Sequence, residues 1–233
     1  MEFVTDLIQW FPDNMWGDAG IIVRTIEHIQ ISAFSVVVAA VFAIPPAMFL
    51  AHRRIGAFTA VTAVNIGRAI PSFGVLALAL PITIIIARNV PFLSTGLGFF
   101  PTFVALFVLA LPPMFANTYT GIAGVDADLV EAARGMGLTS RQILIRIELP
   151  VAAPLIVEGI RLSTVQVIAT ATLGALVAFD GLGRFVINGF SGQDTTQLAG
   201  GAILVGLLAI AAELFFAAYL KWGLPRGIRD GVR

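Results

Sequence analysis

A chain of 233 residues that is 58% hydrophobic and 12% charged lies far outside the balance of a water-soluble domain and belongs in a bilayer. A formal net charge of zero, with no block of like charge, argues against nucleic acid and against a polybasic surface tail. With no cysteine, the chain can form no disulfide, no Cys-ligated zinc site and no thiol nucleophile.

The opening MEFVTDLIQWFPDN has neither the basic start nor the apolar core of a cleavable signal peptide, so the first span is expected to direct its own insertion and the mature chain to begin near Met1. Stretches of about 20 apolar residues, enough to cross a hydrocarbon core of roughly 30 Å, then recur. Five such spans predict an all-α polytopic membrane protein. The first is read over residues 29–51 and ends at His52, Arg53 and Arg54. The second, 59–87, contains the helix breaker Pro71, followed by Ser72 and Gly74, and then Pro81. A bend at Pro71 serves equally as a pore-lining kink, with Ser72 accommodating freed carbonyls, or as a packing kink. The third span, 100–123, runs through Pro112 and Pro113; a polar segment, 124–150, separates it from the fourth and fifth, 154–179 and 198–220. No repeat or linker divides the chain, so residues 1–233 read as one domain.

An odd number of spans puts the termini on opposite sides. Arg53, Arg54, Arg134, Arg141, Arg146, Lys221, Arg226, Arg229 and Arg233 group on one side, against Arg24, Arg88 and Arg184 on the other. Retention of positive charge in the cytoplasm predicts an outside N-terminus, with Trp10 and Trp16 at the outer interface, and an inside C-terminus. The polar segment is then cytoplasmic.

That segment has the grammar of two short helices joined at glycine. Asp126 and Asp128 precede the first, and Asp128 with Glu131 forms a capping-box-like start; Gly135 and Gly137 stop it. Thr139 with Gln142 starts the second, in which Ile143, Leu144, Ile147 and Val151 form one apolar stripe. A solvated loop is the plain reading of such a pattern. The spacing is more specific: Glu131-Ala132-Ala133, Gly137 four positions after Ala133, then Ile147 and Leu149-Pro150. It resembles the EAA signature of type I ABC importer permeases, the transmembrane subunits of ATP-driven uptake systems.

The resemblance implies that the helix at Glu131 is a coupling helix seated in a groove of a separate cytoplasmic ATPase. Ala132 and Ala133 would allow close approach, Glu131 would offer a carboxylate to a basic partner residue, and Gly137 would permit the turn; Arg134 is either a rim contact or a solvated charge. The chain has no G-x-x-x-x-G-K-[ST] loop and a single lysine, Lys221, so ATP and magnesium are expected on the ATPase. No catalytic residue, cofactor site or metal site is expected in this chain.

Ile70-Pro71-Ser72 and DGLGRFVINGF at 180–190 resemble permeases for glycine betaine, choline, carnitine and related compatible solutes such as proline betaine. The implied assembly contains two permease copies or homologues, two ATPases and an extracytoplasmic substrate-binding protein in a bacterial cytoplasmic (inner) membrane. Pro71, Ser72, Thr164, Gln166 and Thr170 are candidates for the translocation path, although the polar run of the fourth span serves helix-to-helix hydrogen bonding equally well. Of the charges near hydrocarbon, Arg68 is expected to snorkel and Glu158 to pair with Arg161, while the partner of Glu213 is open. The phenylalanines read as scattered, so any aromatic cage is expected on the binding protein. Rival readings are a type I importer for methionine or ergothioneine, and a secondary transporter, which would need several mid-membrane carboxylates.

Overall fold

The structure, a computed structural model, describes residues 2–56, 62, 71–90 and 96–223. Among these the chain is helical and contains no strand. In order come α1 (Glu2–Asp13), α2 (Ile21–His52), α3 (Ser72–Asn89), α4 (Phe99–Ala123), α5 (Ala127–Gly135) and α6 (Ser140–Ile143). A π-helical turn, Leu144–Glu148, leads into α7 (Leu149–Ala171); a 3-10 stretch, Thr172–Val177, is followed by α8 (Gly183–Ser191) and α9 (Thr195–Ala218), which ends in a second π turn, Tyr219–Gly223.

Four helices among the described residues are long and apolar enough to cross a membrane: α2, α3, α4 and α9 with its π turn. Helix α7 matches the expected fourth span in place, and its 23 residues reach about 34 Å, but Glu158, Arg161 and Gln166 make it more polar. It gives way to 3-10 geometry at Thr172 rather than continuing to residue 179. The first span, α2, begins at Ile21 rather than residue 29 because Arg24, Glu27 and His28, which depress local hydropathy, each make a polar contact elsewhere in the fold. Glu27 Oε2 accepts the Gly181 N–H at 3.1 Å, His28 Nε2 lies 2.9 Å from the Ile168 carbonyl, and Arg24 Nη1 donates to Asp180 Oδ1 at 3.3 Å. Pro71 is no mid-helix kink. It is the N-cap of α3, with φ −62° and ψ 132°, where a missing N–H costs nothing. Residues 59–61 and 63–70 of the expected second span lie outside the described residues, as do Arg68, Arg226, Arg229 and Arg233.

The contacts resolve into two compact units, and α2, α4, α7 and α9 contribute residues to both. The first draws on Met1–Val37, Ile70–Ala110 and Thr164–Ala211. One of its clusters packs Val75, Leu76 and Ala79 of α3 against Ala105 and Leu109 of α4 and Val177. In another, Ile21, Leu182, Phe185 and Val205 receive Trp10 and Phe11 from the amphipathic α1. Trp10 meets Phe185 edge to face at 5.2 Å, and Trp16 is exposed.

The second unit draws on Val38–Ala69, Leu111–Ser163 and Ala212–Arg233. Ala47 and Ala51 of α2, Tyr119 and Ile122 of α4, and Ala152 and Ile156 of α7 form its buried centre. Small residues bring α4 and α7 together, as is usual where lipid supplies no hydrophobic drive. A β-carbon on Gly159 would lie 2.9 Å from Asn117 Cβ and 3.0 Å from the Pro113 carbonyl oxygen. Gly159→Val is therefore expected to destabilise the fold by about 1–3 kcal/mol and to deplete the monodisperse peak in size-exclusion chromatography of detergent extracts. Gly206→Val, with nothing within 4 Å of the added carbon, should leave that peak unchanged.

Candidate coupling segment and polar sites

Helix α5 starts at Asp126, whose side chain accepts the Asp128 N–H at 2.9 Å. The cap is thus Asp126, not the expected pairing of Asp128 with Glu131. Asp128 sits in the first turn, where its charge favours the positive end of the helix dipole. The helix ends in a Schellman motif: Gly137 N–H donates to the Arg134 carbonyl at 2.9 Å and Leu138 N–H to that of Ala133 at 3.1 Å. Gly137 takes φ +82°, a conformation that glycine adopts without steric cost; Gly135 remains within the helix.

Val130 and Ala133 face inward against Val125 and Ile143, with Leu138 and Ile147 packed alongside. Glu131, Ala132, Arg134 and Met136 face outward. Of the two alanines expected to permit close approach, only Ala132 is on the surface; Ala133 is 1% exposed and lets the segment close on itself.

The second start is built as the sequence implies. Thr139 N–H donates to Gln142 Oε1 at 2.8 Å, and Gln142 N–H returns to Thr139 Oγ1 at 3.4 Å, a reciprocal capping box. The apolar stripe then departs from expectation. The π turn inserts an extra residue, so the buried face runs Ile143, Glu148, Ala152, Ile156, and Val151 turns out at 43% exposure. Glu148 is left 2% exposed. Its Oε2 is 2.6 Å from Nδ1 of His52, the last residue of α2, and His52 Nε2 is 2.6 Å from Ser140 Oγ.

Arg161 organises a second polar group. Its Nη1 donates to Glu158 Oε2 at 3.0 Å, the expected pair one turn apart, and its Nε donates to Glu213 Oε2 at 2.9 Å. Nη2 contacts Glu213 Oε1, completing a two-pronged grip. The partner of Glu213, open from sequence, is therefore Arg161, which ties α9 to α7.

In the first unit, Glu27, Gln30, Ile31, Phe99, Ala178, Phe179 and Asp180 line a cleft of about 310 Å³. Ala178, in its wall, has φ +70°, a conformation uncommon for a residue with a β-carbon. Phe99 heads a ladder: it stacks on Phe103 at 6.2 Å, Phe103 on Phe107 at 5.9 Å, and Phe34 of α2 meets Phe103 at 5.1 Å. These four phenylalanines are therefore aligned rather than scattered. Their spacing of four along α4 is the signal the linear reading missed.

The sequence profile of the family described as "Binding-protein-dependent transport system inner membrane component" matches residues 35–226. The chain belongs to this family. It is a permease subunit of an ABC importer of the bacterial inner membrane. The permease is 35% identical over 225 residues to the carnitine transport permease protein OpuCB of Listeria monocytogenes, covering 96% of each chain. It is also 35% identical over 206 residues to the choline transport system permease protein OpuBB of Bacillus subtilis, covering 88% of this chain and 89% of that one. The osmoprotectant import permease protein OsmW of Salmonella typhimurium is 31% identical over 224 residues, 96% of this chain and 100% of that one. Among solved structures, an inward-facing MetNI methionine ABC transporter chain superposes with a TM-score of 0.74 at 22% identity, over 88% of the permease and 97% of that chain, a likeness of fold.

The structure brings Glu131, Ala132 and Arg134 of the permease onto one exposed, capped helix closed by Gly137. Pro71 and Ser72 are at the start of α3. Thr164, Gln166 and Thr170 lie half-buried along α7, Gln166 and Thr170 sharing a face by their spacing of four. His52, Glu148 and Glu27 went unassigned. An acid within an apolar stripe, as Glu148 is, was the one available signal.

Proposed function

We propose that the permease imports quaternary-amine compatible solutes, with glycine betaine, choline, carnitine and proline betaine as the class, driven by ATP. The observation that carries the ATP-linked part is the EAA spacing realised as a capped knob, Asp126 to Gly137, with Glu131 and Ala132 on its outer face. In this reading the knob docks on an ABC ATPase that binds ATP and magnesium. A second permease copy or a homologue completes the pore, and an extracytoplasmic binding protein delivers cargo. The N-terminus is outside and the C-terminus inside, with α7 as the fourth of five spans.

The cargo class is supported by relatives named for carnitine and choline transport and by the chemistry of the cleft. Carboxylate and phenyl groups together attract an organic cation, by charge and by the negative faces of the rings. Asp180 is occupied by Arg24 and, at 3.5 Å, by Arg184, whereas Glu27 accepts a single backbone N–H and retains acceptor capacity. Pro71, Ser72, Thr164, Gln166 and Thr170 are assigned to the path beyond.

The test is the ATPase rate of the complete complex in proteoliposomes with its binding protein. Choline, glycine betaine or carnitine should raise it; a response to methionine alone would replace this reading. Glu27→Gln should raise the half-saturating choline concentration about five- to tenfold.

A further inference from the structure

The run from His52 to Ile55 grips both ends of the coupling segment. On the entry side, Arg54 Nη1 donates to the Ala123 carbonyl at 3.0 Å and Nη2 to that of Val125 at 3.3 Å, taking up acceptors where α4 ends. Tyr119 Oη adds a bond to the Ile55 carbonyl at 3.1 Å. On the exit side, His52 bridges Ser140, the first residue of α6, and Glu148, the last residue of the π turn. All these residues belong to the second unit.

The way α2 ends fits this grip. Ile55 N–H donates to the Leu50 carbonyl at 3.1 Å and Arg54 N–H to that of Ala51 at 2.9 Å, a Schellman ending with Arg54 in the left-handed position at φ +56°. Glycine is the default residue there. An arginine costs more in backbone energy, and its side chain is the one that reaches the α4 carbonyls. The π turn makes a parallel trade. An uninterrupted α-helix from Ile143 would bury Ile147 and Val151, whereas the π register buries a carboxylate, a placement that is costly unless it is paired.

The imidazole suits a strut better than a switch. Its Nδ1–H donates to the Glu148 carboxylate, and Nε2 faces a hydroxyl that can both donate and accept, so both bonds persist whether the ring is neutral or charged.

We propose that His52 and Arg54 are positioning residues of the transport cycle: they form a collar that carries movement of the coupling knob into α2 as well as into α7. The inference rests on the reading of α5 as the ATPase-docking knob. It needs no identified cargo to be tested, because the absence of cysteine allows a single reporter thiol. Ile26→Cys places one on α2, at a half-exposed site far along the helix from His52.

In the full permease–ATPase complex in proteoliposomes, maleimide labelling at this site is compared with and without ATP trapped by vanadate. A change of threefold or more is expected in the reporter protein. His52→Ala and Arg54→Ala should each reduce it to less than half while ATP hydrolysis persists, and His52→Gln, which keeps one donor and one acceptor, should restore it. Ser140→Ala, which leaves the buried His52–Glu148 pair intact, should weaken the response should His52→Ala not assemble. Labelling that ignores ATP in the reporter protein, or that responds fully in Arg54→Ala and Ser140→Ala, overturns the collar. Failure of the docking reading is separate: Glu131→Lys would then leave both ATPase co-purification and the labelling response untouched.

Discussion

Glu131→Lys is expected to lower ATP-linked uptake by at least about tenfold while the protein still inserts and folds. The residue is on the outer face of α5, away from Val130 and Ala133, so reversing its charge disturbs no packed contact. It also leaves the Asp126 cap and the Gly137 ending in place. What it changes is the surface: under the proposed docking, a carboxylate suited to a basic groove becomes an ammonium facing like charge. The decisive measurement pairs uptake with the amount of ATPase recovered on the purified permease. Normal uptake at normal membrane abundance would remove the coupling role from α5.

Arg161→Ala should have the second large effect, on folding. Arg161 bridges Glu158 on its own helix and Glu213 on α9, and its removal leaves two carboxylates in a largely apolar bundle without their cation. A fall of about 5 °C in melting temperature in detergent is expected, together with lower abundance in the membrane. Arg161→Lys should recover only part of the loss, because an ammonium cannot reproduce the fork that engages both oxygens of Glu213. The triple variant Glu158→Gln, Arg161→Gln, Glu213→Gln removes every charge of the group and should approach the parent stability. If Arg161→Ala melts with the parent, the group is a surface pairing and does not hold α7 to α9.

Local features of the fold were legible in the linear chain where local chemistry decides them. The Thr139–Gln142 box, the turn at Gly137 and the pairing of Glu158 with Arg161 each depend on residues three to five apart, and all three form. The exposed face of α5 followed from the same kind of reasoning, apart from the inward turn of Ala133. Misreadings arose where a distant partner changes the cost of a polar residue. Hydropathy places the first span at residue 29 because Arg24, Glu27 and His28 look unfavourable in isolation, yet they meet Asp180, Gly181 and Ile168 in turn. Pro71 read as a kink because a one-dimensional pattern does not distinguish a bend within a helix from the start of one.

By itself the sequence determined the solvent, the helical class and the family: apolar length, proline and glycine placement, and the EAA spacing are properties of neighbouring residues and survive without coordinates. Only the tertiary structure decided which charges meet. The π turn rotates Glu148 inward to His52, Glu213 finds Arg161 from another helix, and Phe34 of α2 joins the α4 ladder headed by Phe99, which lines the cleft at Glu27. The physical reason is that burying a charge, or bringing a ring from one helix onto another, depends on groups far away in the chain. Helical periodicity says which residues share a face, and only packing says what that face meets.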